Sequence, residues 1–483
     1  MRLFFTTILF LLCQLCFSEQ LPIVRISGGD FSSEFSSATF QLEDGEIYPV
    51  LVRYRGASAL KYEKKSFSVK FVTEEGDKQN VSLLGMRSDN VWVLDAMSVD
   101  MSRMRNRVSM DLWNDFSRKS YIYEIEPEMI NGTRGEYVEL YLNDEYWGLY
   151  CLSERIDRKQ LKLKKYKNDK LKGLLVKSKS WCKLRANGPQ YYDYDNNSVQ
   201  WQGWSMEYPD MDDISVIDWT PFVEDVRWFN TATDSMVRTD LPQKIDLPVW
   251  RDYYLLMELM AADDNIYKNQ YLYYYDVTDS IKMLGIAPWD MDNSWGRDYK
   301  GDKEDAHVNI DVASNKICEL MDSILDPSFF IKKRRYDELR SSWFSKDSLN
   351  ARFTRYFALF ERTGAAQREY ERWNGTDGLT LNFAEEKAYI KQWISDRLAY
   401  MDEKYGYEEA SRPLDLISNP FCAISDGSIM ISGLRDETSV CFFDLKGRLL
   451  NIIQARLGNV VFVTEESVVI VRYEDKHIVV LRK

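Results

Sequence analysis

Asp264-Asn265-Ile266-Tyr267-Lys268-Asn269 runs directly into Gln270-Tyr271-Leu272-Tyr273-Tyr274-Tyr275. A second strand-like run, Lys282-Met283-Leu284-Gly285-Ile286, then precedes Trp289-Asp290-Met291-Asp292-Asn293-Ser294-Trp295-Gly296. The two apolar, aromatic-rich runs read as a hairpin. An Asp followed five residues later by an Asn couples a group that can take or orient a proton with an amide that can hold a metal. One hairpin downstream, Asp290 and Asp292 offer carboxylates able to bridge a hard cation to phosphate oxygens. A magnesium ion needs only one Asn and one or two Asp when phosphates supply the remaining oxygens. Asp263 precedes Asp264, but the spacing to Asn269 selects Asp264. Any one of these pairs alone is a common turn or helix cap; their order carries the argument.

Upstream, the segment from Leu21 to Val72 alternates with period two, as in Val50-Leu51-Val52-Arg53-Tyr54 and Phe67-Ser68-Val69-Lys70-Phe71. It reads as strands and turns, with Phe67, Val69 and Phe71 on one face and Ser66, Ser68 and Lys70 on the other. Residues Asp100 to Phe116 read as a helix, capped by Asp100 or Ser102, with Met104, Val108 and Leu112 in phase. Tyr137 to Leu142, Asn143-Asp144-Glu145 and Tyr146 to Leu152 spell a second hairpin. The lysines of 159–179 suggest a solvated, partly helical surface. Residues 181–247, rich in Trp, Tyr, Asn and Asp, read as an insertion or loop-rich cover. Trp250 to Met260 and most of 317–405 read as helices. Beyond a Ser-, Arg-, Pro- and Asn-rich shift at 410–420, short strands define a small all-β module over 420–483.

Length and composition narrow the options. A chain of 483 residues is long for a single core, which predicts two or three compact units. Residues 1–18 have the form of an export signal: Arg2, an apolar run from Leu3 to Leu12, and small residues before a cleavage site at Glu19. That predicts a secreted, periplasmic or cell-surface protein with no integral membrane segment after cleavage. The net charge of −13 argues against nucleic acid as a partner. Only two histidines are present, which nearly excludes Ser-His-Asp, Cys-His and multi-histidine metal chemistry. Beyond the signal, the cysteines at 151, 182, 318, 422 and 441 show neither disulfide-framework nor zinc-site spacing. Catalysis in such a chain falls to carboxylates, Lys, Arg and bound cations.

Several ordered segments resemble the CotH kinase family. Arg55-Gly56-Ala57-Ser58 and Lys64-Lys65-Ser66-Phe67-Ser68-Val69-Lys70-Phe71 are similar to its R-G-x-S and K-K-S-[YF]-x-[LIV]-K-F stretches. Trp92-Val93-Leu94 with Asp100 to Asn106 resembles its W-x-L and D-x-S-x-x-R-N segment, and Asn143 to Asp157 its N-x-x-Y-x-G-x-Y-x-x-x-E-x-[IV]-D element. The resemblance spans roughly 50–405, around the 181–247 insertion. It implies an α+β chain with an atypical two-lobed protein-kinase-like fold over 19–408. It also implies ATP with Mg²⁺ (or Mn²⁺), and transfer to a hydroxyl of an exported or surface protein. By position, Asp264 would be the catalytic-loop carboxylate, with Asn269 and Asp290 as metal ligands and Asp292 competing for that role. Arg55 to Ser58 would replace a Gly-rich phosphate loop, Lys65 or Lys70 would be the phosphate lysine, and Glu154 would lie at the hinge. Arg105, beside a helix start, can pair with a carboxylate or phosphate, or lie exposed. The tail, through Val440 to Leu450, resembles C-terminal secretion-sorting β-sandwiches of Bacteroidetes. A different outcome of the same resemblance is a surface binding or adhesion protein that retains the scaffold without turnover.

Overall fold

Phe67, Val69 and Phe71 are fully buried along strand Ser66–Phe71, while Ser66, Ser68 and Lys70 point the other way. In the computed structural model this strand belongs to a closed barrel. Its strands follow the order Ile23–Ser27, Ser36–Leu42, Ile47–Arg55, Ser66–Phe71, Val91–Asp95, Glu145–Ser153, Gly135–Leu142. Neighbours pair antiparallel except at the closure, where Ile23 to Ile26 run parallel to Glu139 to Leu142. The interior is a continuous apolar filling that includes Val24, Val52, Phe67, Trp92, Val138 and Leu152. Closure leaves no unpaired edge, which small β structures otherwise have to protect. Asn143 and Asp144 turn the predicted hairpin with φ of 50° and 67°, the left-handed pair that matches strand twist.

The structure describes residues 20–167, 170–210 and 217–408, together with most of 421–481. The export signal, the 410–420 shift and residues 445–447 of the tail segment lie outside the described residues. The chain divides into two compact units. The first holds the described residues of Met1–Met104, Gly135–Glu154 and Ala351–Tyr389; the second holds Arg105–Arg134, Arg155–Asn350 and Ile390–Lys483. The mix of helix and sheet is that of the α+β class expected.

Within the first unit, helix Ala365–Trp373 lies on the barrel at Gly148. Gly148 has φ +124°, and a Cβ there would come within 2.6 Å of Trp373 Nε1 and 2.7 Å of Glu369 Oε2. Only glycine permits that approach. Tyr137 packs edge-on against Tyr356 and Phe360, with centroids 4.9 and 4.7 Å away.

The second unit is built on an antiparallel sheet ordered Gln200–Trp201, Trp204–Tyr208, Leu174–Ser178, Gln270–Tyr274, Gly285–Pro288. Helix Leu247–Met260 is buried along its whole length; Trp250 donates to the Leu284 carbonyl at 2.8 Å and Tyr253 to that of Asn265 at 2.7 Å. Helix Arg105–Phe116 sets Trp113 edge-on to Tyr253, at 6.0 Å.

Three local expectations change. The lysine-rich stretch 159–179 carries a strand, because Leu174, Leu175 and Val176 are buried at the middle of the sheet. Residues 181–247 are more regular than a loop-rich cover. They add two strands to the sheet and form helices Thr220–Thr231 and Asp234–Lys244, the first burying Phe222, Val223, Val226 and Phe229. The helix expected from Asp100 starts at Arg105. Before it, the Asp100 carboxylate accepts from Ser102 N and Met104 N, both at 2.8 Å, and closes a turn instead.

The C-terminal strands form a three-stranded and a four-stranded sheet, and Ile431, Val460, Val440, Phe442 and Val471 from both meet in one core. Among the described residues, no helix is long and apolar enough to cross a membrane.

Candidate functional site

Gln270 pairs with Pro288 at the end of the hairpin, so the chain entering the first strand and the chain leaving the second become neighbours. Asp264 sits in a 3-10 turn, Asp263–Ile266, and is 7% exposed. Asn265 fastens the two loops: its Nδ2 donates to the Trp289 carbonyl at 2.8 Å, while its own carbonyl accepts from Tyr253 and Gln270. Asn269 Nδ2 lies 3.5 Å from the Asp290 carbonyl. Both Asn269 and Asp290 are left-handed, with φ of 56° and 58°. Non-glycine residues in that region cluster where surrounding structure enforces a functional geometry. Asp290 is exposed and Asp292 half-buried.

The Asp290–Asp292 loop is anchored from helix Arg105–Phe116. Asn106 Oδ1 accepts from Met291 N at 3.1 Å. Arg105, fully buried, donates through Nε to the Ser294 carbonyl at 3.0 Å and through Nη2 to that of Trp295 at 3.3 Å. Ser109 accepts from Trp295 Nε1 at 2.9 Å. Arg105 is therefore interior, and its planar fork suits two adjacent carbonyls. Trp289 and Trp295 are buried packing walls, as their size leads one to expect.

Charge here is concentrated and negative. Burial, and then the charges of Asp298, Asp263 and Asp264, push the Glu304 carboxyl above its ordinary range. Lys268, which sequence reading passed over, lies 3.0 Å from Asp264 Oδ2. Among the described residues, no three of His, Cys, Asp and Glu gather as a metal-binding group. The donor set is instead an amide and separate carboxylates, with buried Asn265 Oδ1 and Asn293 Oδ1 lacking partners among the described residues. Such hard oxygens fit a magnesium ion that keeps water and phosphate ligands, and do not fit a cage made of protein alone.

The remaining candidates lie in the first unit. Arg55 ends strand Ile47–Arg55, and Ser58 is exposed at the start of the turn Ser58–Lys61. Lys65 Nζ donates to the carbonyls of Leu60, at 2.7 Å, and Tyr62, so it ties that turn to its base. Lys70 faces outward, 4.2 Å from the centroid of Phe35. Glu154 is buried, its Oε1 accepting from Arg87 N at 3.1 Å.

Lys64, in the same unit, is joined to a carboxylate. Its Nζ lies 2.6 Å from Glu369 Oε1 and 2.6 Å from the Leu149 carbonyl, and Arg103 Nε reaches the same Glu369 oxygen at 2.8 Å. Burial, only partly offset by Glu369, pushes the Lys64 ammonium down to about 7. Burial raises the Glu369 carboxyl, but Lys64 and Arg103 outweigh it and leave that group below its ordinary range. The sequence signal for Lys64 was its place in the Lys64-Lys65-Ser66 run; nothing local pointed to Glu369.

The family model described as CotH kinase protein matches residues 52–401, most of the chain and all the candidate site residues. The chain belongs to the CotH kinase family. A similar protein is the inner spore coat protein H of Bacillus subtilis (strain 168), 24% identical over 323 residues, which cover 64% of this chain and 75% of the relative. For a CotH kinase family member, the Asp264–Asn269 and Trp289–Gly296 loops are the natural centre of attention. They are the segments in which fixed main chain and poised oxygen donors coincide.

Proposed function

We propose that this protein is an exported kinase with an atypical two-lobed, protein-kinase-like fold. It transfers the γ-phosphoryl group of ATP to a hydroxyl, a Ser or Thr of an exported or surface protein. The observation that carries this reading is the meeting of the Asp264–Asn269 loop and the Asp290–Asp292 loop at one end of a hairpin, fastened by Asn265 and backed by Arg105 and Asn106. Membership of the CotH kinase family supports it.

In this reading Asp264 receives the proton of the acceptor hydroxyl as that oxygen bonds to the γ-phosphorus. The bridge to the β-phosphate breaks, and ADP leaves with the bond's electron pair. Lys268 holds Asp264 in place before transfer. Asn269 and Asp290, with Asp292 beside them, would hold Mg²⁺ or Mn²⁺, which neutralises phosphate charge when bound. By the family resemblance Arg55, Ser58 and either Lys65 or Lys70 would serve the phosphates, and Glu154 the hinge.

Calorimetry of the full chain with ATP, with and without Mg²⁺, tests the reading, followed by transfer of labelled phosphate. Metal-dependent binding and transfer, both abolished in Asp290→Asn, are expected. Binding that ignores metal, or full labelling by the variant, would remove the assignment.

A further inference from the structure

Trp181 and Lys183 are exposed on either side of buried Cys182. The Cys182 N–H donates to the Tyr267 carbonyl at 2.7 Å, which ties this segment to the Asp264–Asn269 loop. The Trp181 ring leans on that of Tyr267, with centroids 4.6 Å apart and planes at 36°. The Lys183 ammonium lies 5.1 Å from the same ring, and the Tyr267 hydroxyl donates to Asp263 Oδ1 at 2.8 Å. An exposed aromatic standing alone on a surface is ordinary. Trp181 differs because a catalytic-loop side chain holds its ring while 57% of the residue stays open to solvent. A rigid indole loses little freedom when a partner covers it, which is why Trp so often anchors protein interfaces.

Charge adds direction. Lys268 is committed to Asp264, whereas Lys183 makes no ion pair among the described residues. The Tyr267 ring therefore meets an indole and an available cation, while its hydroxyl reaches Asp263, the chain neighbour of Asp264.

We propose that Trp181 and Lys183 form the docking platform for the acceptor polypeptide. An extended segment lays an apolar side chain across the indole and a carboxylate against the Lys183 ammonium, which brings its hydroxyl toward Asp264. The proposal rests on the reading of Asp264 given above. The 181–247 insertion thereby supplies acceptor selection rather than catalysis.

The test presents the full chain, with ATP and Mg²⁺, to an array of serine and threonine peptides whose flanking positions are varied one at a time. The wild-type chain should favour Leu or Phe over Gly at one flanking position, and Glu over Lys at a neighbouring one. Trp181→Ala should erase the first preference and raise KM for the selected peptide about tenfold, the effect of truncating an interface anchor, with nucleotide affinity unaltered. Lys183→Glu should reverse the second preference. Unchanged selection in either variant overturns the platform, as does a nucleotide-loaded wild-type chain that labels no peptide. If the wild-type chain binds no nucleotide, the kinase reading falls and the platform with it.

Discussion

The Lys64 ammonium and Glu369 Oε1, 305 positions apart in the chain, meet at 2.6 Å inside the first unit. Glu369 also takes the Leu149 N–H at 2.8 Å and the Arg103 guanidinium, so one carboxylate balances two buried cations. Glu369→Gln would remove the carboxylate that both basic side chains share, and breaking a buried pair from one side costs about 3–5 kcal/mol. Guanidinium denaturation of the full chain should show that loss, while exposed Glu371→Gln should change stability by less than about 0.5 kcal/mol. Equal effects of the two substitutions would contradict the role given to Glu369.

Gly148→Ala tests the contact from the other side. Its Cβ would stand 2.6 Å from Trp373 Nε1, and its φ of +124° already disfavours a side chain. The helix must retreat or the strand bend, at about 1–3 kcal/mol. The same denaturation measurement should show a loss in that range; a neutral outcome would mean that the helix lies farther from the barrel.

Asp246 sets a pH dependence. It is wholly buried at the start of helix Leu247–Met260; Oδ2 accepts from Tyr121 N at 3.0 Å, and Oδ1 has no partner among the described residues. Burial, only partly opposed by hydrogen bonds from Ser120 and Tyr121, lifts this carboxyl from the ordinary 3.8 to about 7. The folded chain therefore keeps a proton that the unfolded chain releases between those values. Its contribution to stability is complete below about pH 4 and is lost as pH rises through 7, on the order of 1 kcal/mol per pH unit. Asp246→Asn should gain stability relative to wild type as pH increases from 5 to 8. Parallel urea titrations at the two pH values would show no such gain if the group stayed ionised in the fold.

Asn106→Leu addresses the acidic loop. It removes the acceptor for Met291 N while Asp290 and Asp292 themselves stay unsubstituted. Residues behind a metal's own ligands typically matter about 10- to 100-fold in affinity. Calorimetric titration of Mn²⁺ into the nucleotide-loaded chain should weaken by that factor, with metal-free nucleotide binding unchanged. Wild-type Mn²⁺ affinity in the variant would mean that the loop holds its shape without Asn106.

Much of this architecture could be read from local pattern. Period-two alternation gave the burial of Phe67, Val69 and Phe71, and Asn143-Asp144 marked its hairpin, because both signals act over a few residues. The spacing of Asp264, Asn269 and Asp290 likewise marked two loops that strand pairing brings together. Long-range partnerships escaped. Lys64 carried no role of its own in the local pattern, since Glu369 lies far downstream, and Arg105 could equally have lain exposed because its acceptors are main-chain carbonyls near residue 295. The apolar spacing of Phe222, Val223, Val226 and Phe229 was present but masked by the surrounding Trp, Asn and Asp.

The helix that lies on Gly148 also sets an order of events. A ribosome completes every strand of the barrel well before it makes Glu369. Until then Lys64 and Arg103 lack the carboxylate that neutralises them, and the first unit waits on a segment encoded after most of the second. The nascent barrel is thus an unfinished intermediate, of the kind that larger chains pass through as they emerge. A message truncated ahead of residue 365 would yield all seven strands and still no mature unit.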